Sequence, residues 1–311
     1  MFPKIASRRK PGWLCILPQS GRVTLVHAVW GEKPEIRLLD NFAAENGPVG
    51  ALQRLQKARK LSSFACTTLI APADCTLTQL EAPAVPKEER KEALRWALKD
   101  VVPYPVDSAC IDVLDLPGEG LPPGRALGVL VVSAAEQAVR ECAAPFEAAQ
   151  VRLDAIDIPE LAQRNAAALL EDENRGLVLL RIDESGMMLT LSFHGELLAV
   201  RRSDMNAGQL AGQDAGQRER VMERLMLELQ RSLDNFDRQY SHVPVSKVVV
   251  ACHPPVDGIV EALTQGTYVP LAEMDLNGAL DFSGAPELKD PAVQAKYLLA
   301  IGAALRTGEP A

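Results

Sequence analysis

No stretch of the 311 residues approaches the ~20 apolar positions that a membrane-spanning helix needs. The first ten residues carry Lys4, Arg8, Arg9 and Lys10 without an acid, but no apolar run follows them, so neither a signal peptide nor an anchor is expected. A basic stripe is missing too: charged residues make up 24% of the chain and the net charge is −8, which argues against nucleic acid as a partner. The six cysteines (Cys15, Cys66, Cys75, Cys110, Cys142, Cys252) form no CxxC pair and have no histidine at metal-ligand spacing. Free, buried thiols acting as small hydrophobes are expected, and no metal. No GxxxxGK(S/T) or GxGxxG string cradles a phosphate, and no GxSxG elbow presents a nucleophile. Ser20, Ser185 and Ser203 fall in turns or at a strand end, and His27, His194, His242 and His253 are scattered, which disfavours an enzyme.

What is present fits two α/β lobes. The chain exceeds the size at which one core stops growing, and 47% hydrophobic residues can fill two. Strand-like runs at 12–18, 22–30 and 35–40 are split by the turns PQSG and GEKP, and runs at 176–183, 187–194 and 196–203 repeat the pattern around DESG and HG. A helix follows each triplet, at 49–60 and 217–240, and then an apolar strand, at 64–71 and 247–252. In the longer helix Val221, Leu225, Leu229, Leu233, Phe236 and Tyr240 recur at steps of four or three, which places them on one face against a sheet. This duplication predicts a first lobe over 1–75, continued at 151–172 with a C-terminal helix over 291–311 returning to it, and a second lobe over 173–290.

Residues 76–150 fit neither repeat and read as an inserted subdomain. A helix over 87–101 puts Ala93, Leu94, Ala97, Leu98 and Val101 on one stripe before Pro103 and Pro105 stop it. Strands at 109–116 and 126–133 flank the loop PGEGLPPG, and a helix over 134–149, bent near Pro145, follows. Asp157, Ile158, Pro159 and Glu160 read as a capping box opening the next helix, in preference to Asp154 and Asp157 forming a catalytic carboxylate pair.

The segment at 93–117, ALRWALKDVVPYPVDSACIDVLDLP, joins an amphipathic helix to a strand through a Pro-Tyr-Pro elbow. With GWLCILPQSGRVTLVHAV, RLDAIDIPELAQRN and LQRSLDNFDRQYSHVPVSKVVVA it resembles the PilM and MshI group of type IV pilus assembly proteins, over nearly the whole chain. The resemblance implies an actin-like, ribonuclease H-like duplicated fold of two lobes, with a small α/β subdomain inserted in the first. It also implies where a nucleotide would sit. Actin-like ATPases hold phosphates and Mg²⁺ between two glycine-bearing hairpin turns, each with an acid at the end of the preceding strand; the glycine lets backbone N–H groups approach, and the carboxylate orients metal-bound water.

Those positions here carry the wrong chemistry. The triplet matching the first Asp-x-Gly is Ile16, Leu17, Pro18, with no carboxylate and, at the proline, no N–H. In the second hairpin Arg181 falls on the acid and Asp183 on the glycine; a register shift would make Asp183 the acid and Gly186 the flexible residue. The glycine-rich turn that supports the base is replaced by Cys252, His253, Pro254, Pro255. No cofactor is expected, the alternative being ATP with Mg²⁺ driving a switch through the 183–186 turn.

The expected role is a scaffold in the assembly platform of an MSHA-type pilus, cytoplasmic and at the inner face of the inner membrane. The resemblance implies a partner, the N-terminal cytoplasmic tail of a PilN-like or MshJ-like inner-membrane protein, bound in the groove between first lobe and subdomain, with other platform proteins alongside. Trp96, Pro103, Tyr104 and Pro105 are candidate contacts, or else subdomain core and elbow. The basic N-terminus is either a solvated tail or a contact to anionic lipid. A filament former is a third possibility, disfavoured by the core-like helix at 297–305.

Overall fold

A computed structural model describes residues 9–45, 47–117, 127–212 and 214–307. Of these, 160–302 form one compact unit and the rest form another. Lys4, Arg8, most of PGEGLPPG and the last four residues lie outside the described residues.

The first unit opens with an antiparallel meander of β1 (Trp13–Gln19), β2 (Arg22–Val29) and β3 (Glu35–Ala43). Helix α1 (Gly47–Arg59) crosses over, so β4 (Ala65–Leu69) returns parallel to β1, with Ala65 opposite Trp13. The inserted segment contributes β5 (Cys75–Glu81), α2 (Arg90–Ala97), β6 (Cys110–Asp115), β7 (Gly128–Ala134) and α3 (Glu136–Ala148) before β8 (Ala155–Asp157) closes the first sheet in the order β3-β2-β1-β4-β8. Leu14 and Ile16 of β1, Val23 and Leu25 of β2, Leu52 and Leu55 of α1 and Phe146 of α3 share one core, each large side chain stabilising it by roughly 1.5–3 kcal/mol. Strands β5, β7 and β6 make a separate three-stranded sheet in that order.

After α4 (Pro159–Ala167) the second unit repeats the plan: β9 (Gly176–Asp183), β10 (Gly186–Phe193), β11 (Glu196–Ser203), the short α5 (Ala207–Leu210), α6 (Ala215–Gln239), β12 (Val245–Cys252), α7 (Ile259–Thr264), β13 (Leu271–Glu273) and α8 (Pro291–Ala304). Its sheet runs β11-β10-β9-β12-β13, a meander followed by two parallel strands, as in the first. All six apolar residues expected on the inner face of α6 are buried.

Several local expectations need correction. The subdomain helix is shorter than 87–101: a 3₁₀ turn at Lys87–Glu89 leads into α2, and beyond it the chain winds in turns that bury Leu98 and Val102 while Ala97 and Val101 are exposed. Asp157 caps nothing. It ends β8, its Oδ1 accepts from the Ile158 N–H at 2.8 Å, and its Oδ2 takes Arg306 Nη1 at 2.8 Å, while the α4 N-cap position falls to Ile158, which has no polar side chain. Asp154, whose side chain is fully buried, accepts from Arg9 Nη1 (2.9 Å), Arg152 Nε (3.1 Å) and the Cys66 N–H (3.0 Å). Arg9 is thus docked, and Lys10 lies 4.3 Å over the Phe64 ring. All six cysteines are free; Cys15 and Cys66 are buried, but Cys110 is exposed on an edge strand.

Helix α4 beyond Pro159 and most of α8 stand with the second unit, whereas the sequence reading attaches them to the first lobe. Gln163, fully buried, donates to Leu179 O at 2.8 Å and Thr190 Oγ1 at 3.0 Å, and Asn165 donates to Gly302 O at 2.8 Å. A Cβ on Gly302 would lie 1.8 Å from Ala162 O, so only glycine lets α8 approach α4 this closely.

His27, buried on β2, donates from Nε2 to Pro11 O at 2.9 Å and meets Phe64 edge-on. Burial, only partly opposed by that hydrogen bond, holds its pKa below the ordinary 6.5. The folded state therefore prefers neutral imidazole, and its stability falls as pH drops below the unfolded value. Urea denaturation between about pH 7.5 and about pH 5.5 is expected to show a loss of stability that is smaller in His27→Gln; parallel losses in the two proteins would contradict this.

Candidate functional site

In the first unit the β1–β2 hairpin closes at Ser20 and Gly21, where Gly21 takes the left-handed conformation with φ +75°. Ile16, Leu17 and Pro18 precede that turn and belong to β1. Ile16 is fully buried in the core opposite Leu25, and Pro18 pairs with Val23. No acid occurs before Glu32. The hairpin has a left-handed glycine and no carboxylate.

In the second unit β9 turns into β10 through Glu184 and Ser185. Arg181 is 8% exposed, and its guanidinium forms an ion pair with Asp183, two residues along on the same face of the strand. Asp183 Oδ1 also accepts from Ser185 N at 2.8 Å and Ser185 Oγ at 2.5 Å. The carboxylate that a shifted register would offer to a metal is therefore engaged within its own turn.

Glu160, in the first turn of α4, accepts from Arg202 of β11 and adds its field to Arg181. Burial pushes the Glu160 carboxyl up against the pull of Arg202; burial, then repulsion from Arg202, lowers Arg181 to about 10. Both directions mark charges held at a desolvation cost. Gly186, with φ +138°, has a packing reason: a Cβ there would lie 2.5 Å from Ser203 O of the neighbouring strand.

At the end of β12, Cys252 Sγ donates to Pro254 O at 3.3 Å, which draws these two residues together, and burial pushes the thiol to about 11. The cavity beside them, lined by residues that include Ala251, Pro255, Met274 and Ala292, holds about 80 Å³. Ligand pockets begin near ~300 Å³.

The inserted subdomain is built differently. Helix α2 covers one face of its sheet, where Leu94, Leu98, Val129 and Val131 form a core with Leu80, Ile111 and Val113 packed against it. Tyr104 packs there too, donating from its hydroxyl to Ser133 Oγ at 3.0 Å. Pro103 and Pro105 are exposed on either side of it, and Trp96 is 68% exposed on α2. The elbow thus divides the four candidate contacts into one core-facing residue and three outward ones. On the opposite face of the sheet, alternation and register place Leu77 across from Val132 and Leu114 across from Leu130; Leu77, Val132 and Leu114 are only half-buried. β5 and β6 are both edge strands. These features escape a reading by helical stripe and proline punctuation, although the period-2 apolar positions of the three strands are the signal that would find them.

No protein-family model matches the chain, and no curated protein does. Among solved structures it is similar to a PilM-PilN type IV pilus biogenesis complex, with 20% identity, 97% of this chain and 100% of that one covered, and a TM-score of 0.75. The chain has the actin-like ATPase fold. The duplicated sheets are its two repeats. It is also similar, at 13% identity over 95% of this chain and 96% of the other with a TM-score of 0.50, to the cytoplasmic domain of EpsL, an inner-membrane component of the type II secretion system of Vibrio cholerae. A Bacteroides thetaiotaomicron protein with actin-like ATPase fold and unknown function aligns over 93% of this chain and 99% of its own at 9% identity, with a TM-score of 0.48. Among the described residues no helix is long and apolar enough to cross a membrane.

The charge cluster of this actin-like fold is testable. Glu160→Leu leaves Arg181 and Arg202 facing each other without their shared carboxylate and is expected to cost on the order of 3 kcal/mol in chemical denaturation. Glu160→Leu/Arg181→Met removes both buried charges and is expected to recover most of the loss. A double variant no more stable than Glu160→Leu would contradict the pairing.

Proposed function

We propose that the protein is a cytoplasmic scaffold of type IV pilus assembly, of the MSHA class, and that it binds the N-terminal cytoplasmic tail of a PilN-like inner-membrane protein. The observation that carries this reading is the half-buried apolar face of the subdomain sheet, flanked by two edge strands. An extended tail adds to such an edge by backbone pairing, and its alternate side chains settle against Leu77, Val132 or Leu114. Backbone pairing supplies affinity and the apolar pockets supply specificity. The likeness to a PilM-PilN complex supports the choice of partner.

In this reading the protein is not an enzyme and needs no nucleotide, because the strand-end groups are spent on internal pairs. Trp96, Pro103 and Pro105 lie on the other side of the subdomain and serve further platform proteins. The tail of the partner holds the scaffold at the inner face of the inner membrane; Lys4 and Arg8 add about 1 kcal/mol each if they reach anionic lipid.

A synthetic peptide with the N-terminal tail sequence of the neighbouring membrane protein is expected to bind the purified chain saturably. Leu77→Asp or Leu114→Asp, on the two edges, is expected to weaken binding roughly tenfold by placing a charge where apolar contact is needed. The substitution that costs more marks the edge in use. No binding by protein shown to be folded would reject the assignment.

A further inference from the structure

Along one face of α6, remote in sequence from every site described so far, Glu228, Arg231, Ser232, Asp234, Asn235 and Arg238 line a cavity of about 340 Å³ together with Arg201 of the edge strand β11. Glu228 precedes Arg231 by three residues and Asp234 precedes Arg238 by four, the spacings at which helical ion pairs form. Neither pair closes. None of the three arginines takes part in an ion pair or side-chain hydrogen bond among the described residues. The helix dipole explains Arg238, in the last turn, but neither Arg231 nor the strand residue Arg201.

Ser232 supplies the independent observation. It is 2% exposed, its Oγ is buried without a hydrogen-bond partner, and the residue lines this cavity. A helical serine normally satisfies its hydroxyl on the preceding turn, and leaving one buried and unpaired costs about 1–3 kcal/mol. A ligand with acceptor oxygens would satisfy it, along with guanidinium forks matched to phosphate. The volume falls in the range of small-molecule pockets, with room beyond a single phosphate.

We propose that this pocket binds the phosphate group of a small phosphate ester, through Arg201, Arg231, Arg238 and the Ser232 hydroxyl. The two carboxylates on the wall select against ligands that bring negative charge to their side, so the phosphate sits toward the arginines and an uncharged or cationic remainder sits toward Glu228 and Asp234. The site does not depend on tail binding, and either proposal can fail alone.

Calorimetric titration of the full chain with O-phosphoethanolamine, a phosphate monoester with a cationic remainder, at low ionic strength is expected to show one saturable site, weakened roughly tenfold by Arg201→Ala or Arg231→Ala. Ser232→Ala is expected to weaken it less, and Arg22→Ala, which removes an exposed arginine from β2, not at all. Flotation with phosphatidylcholine vesicles, with and without phosphatidic acid, separates the sources. Recruitment by phosphatidic acid that Arg231→Ala abolishes assigns a lipid headgroup, and calorimetric binding without recruitment assigns a soluble ester. Absence of both from folded protein, or binding that survives Arg201→Ala/Arg231→Ala, overturns the site.

Discussion

Arg181 exchanges its hydration for Asp183 and the field of Glu160, and much of the second unit's chemistry follows from that exchange. Removing a charge from water costs several kcal/mol, recovered only while the opposing carboxylates remain in place. Asp183 is further tied to Ser185, and Glu160 is shared with Arg202. The turn is held by its own charges, and Gly186 is glycine because the neighbouring strand leaves no room for a Cβ.

The first unit reaches a similar end by apolar means. Ile16 contributes a fully buried side chain to the core at a position where the nucleotide-binding pattern calls for a carboxylate. Both repeats of the actin-like fold thus keep their sheets, with a buried apolar side chain near the strand end in the first and an internal ion pair in the second. What the fold retains is surface: the subdomain sheet has two edge strands and, among the described residues, an apolar face on which Leu77, Leu114 and Val132 are half-buried, and peptide recognition uses such features without any bound cofactor.

The duplicated meanders were legible in the sequence because their turns carry glycine or proline at tight reversals and their strands are apolar on the faces that meet the helices. The inner stripe of α6 was legible for the same reason, since six side chains at helical spacing admit one arrangement. Asp157 was misread because its neighbours Pro159 and Glu160 mimic a capping box, and only the three-dimensional path of the chain brings Arg306 to it. The attachment of α4 and α8 depends on Gln163, Asn165 and Gly302 meeting partners distant in sequence, which no local pattern reveals. The arginines of α6 were hidden by the carboxylates at pairing distance along the chain, whose geometry alone shows that the pairs are open.

The central claim is that an actin-like fold here holds another protein without nucleotide. Its most direct test is the affinity of the partner tail measured with and without ATP and Mg²⁺ in the same preparation, alongside direct titration with labelled ATP. The account requires identical tail affinities and no micromolar, metal-dependent ATP binding. A tail affinity that shifts with Mg²⁺-ATP, or ATP retained at micromolar concentration only when the metal is present, would contradict it.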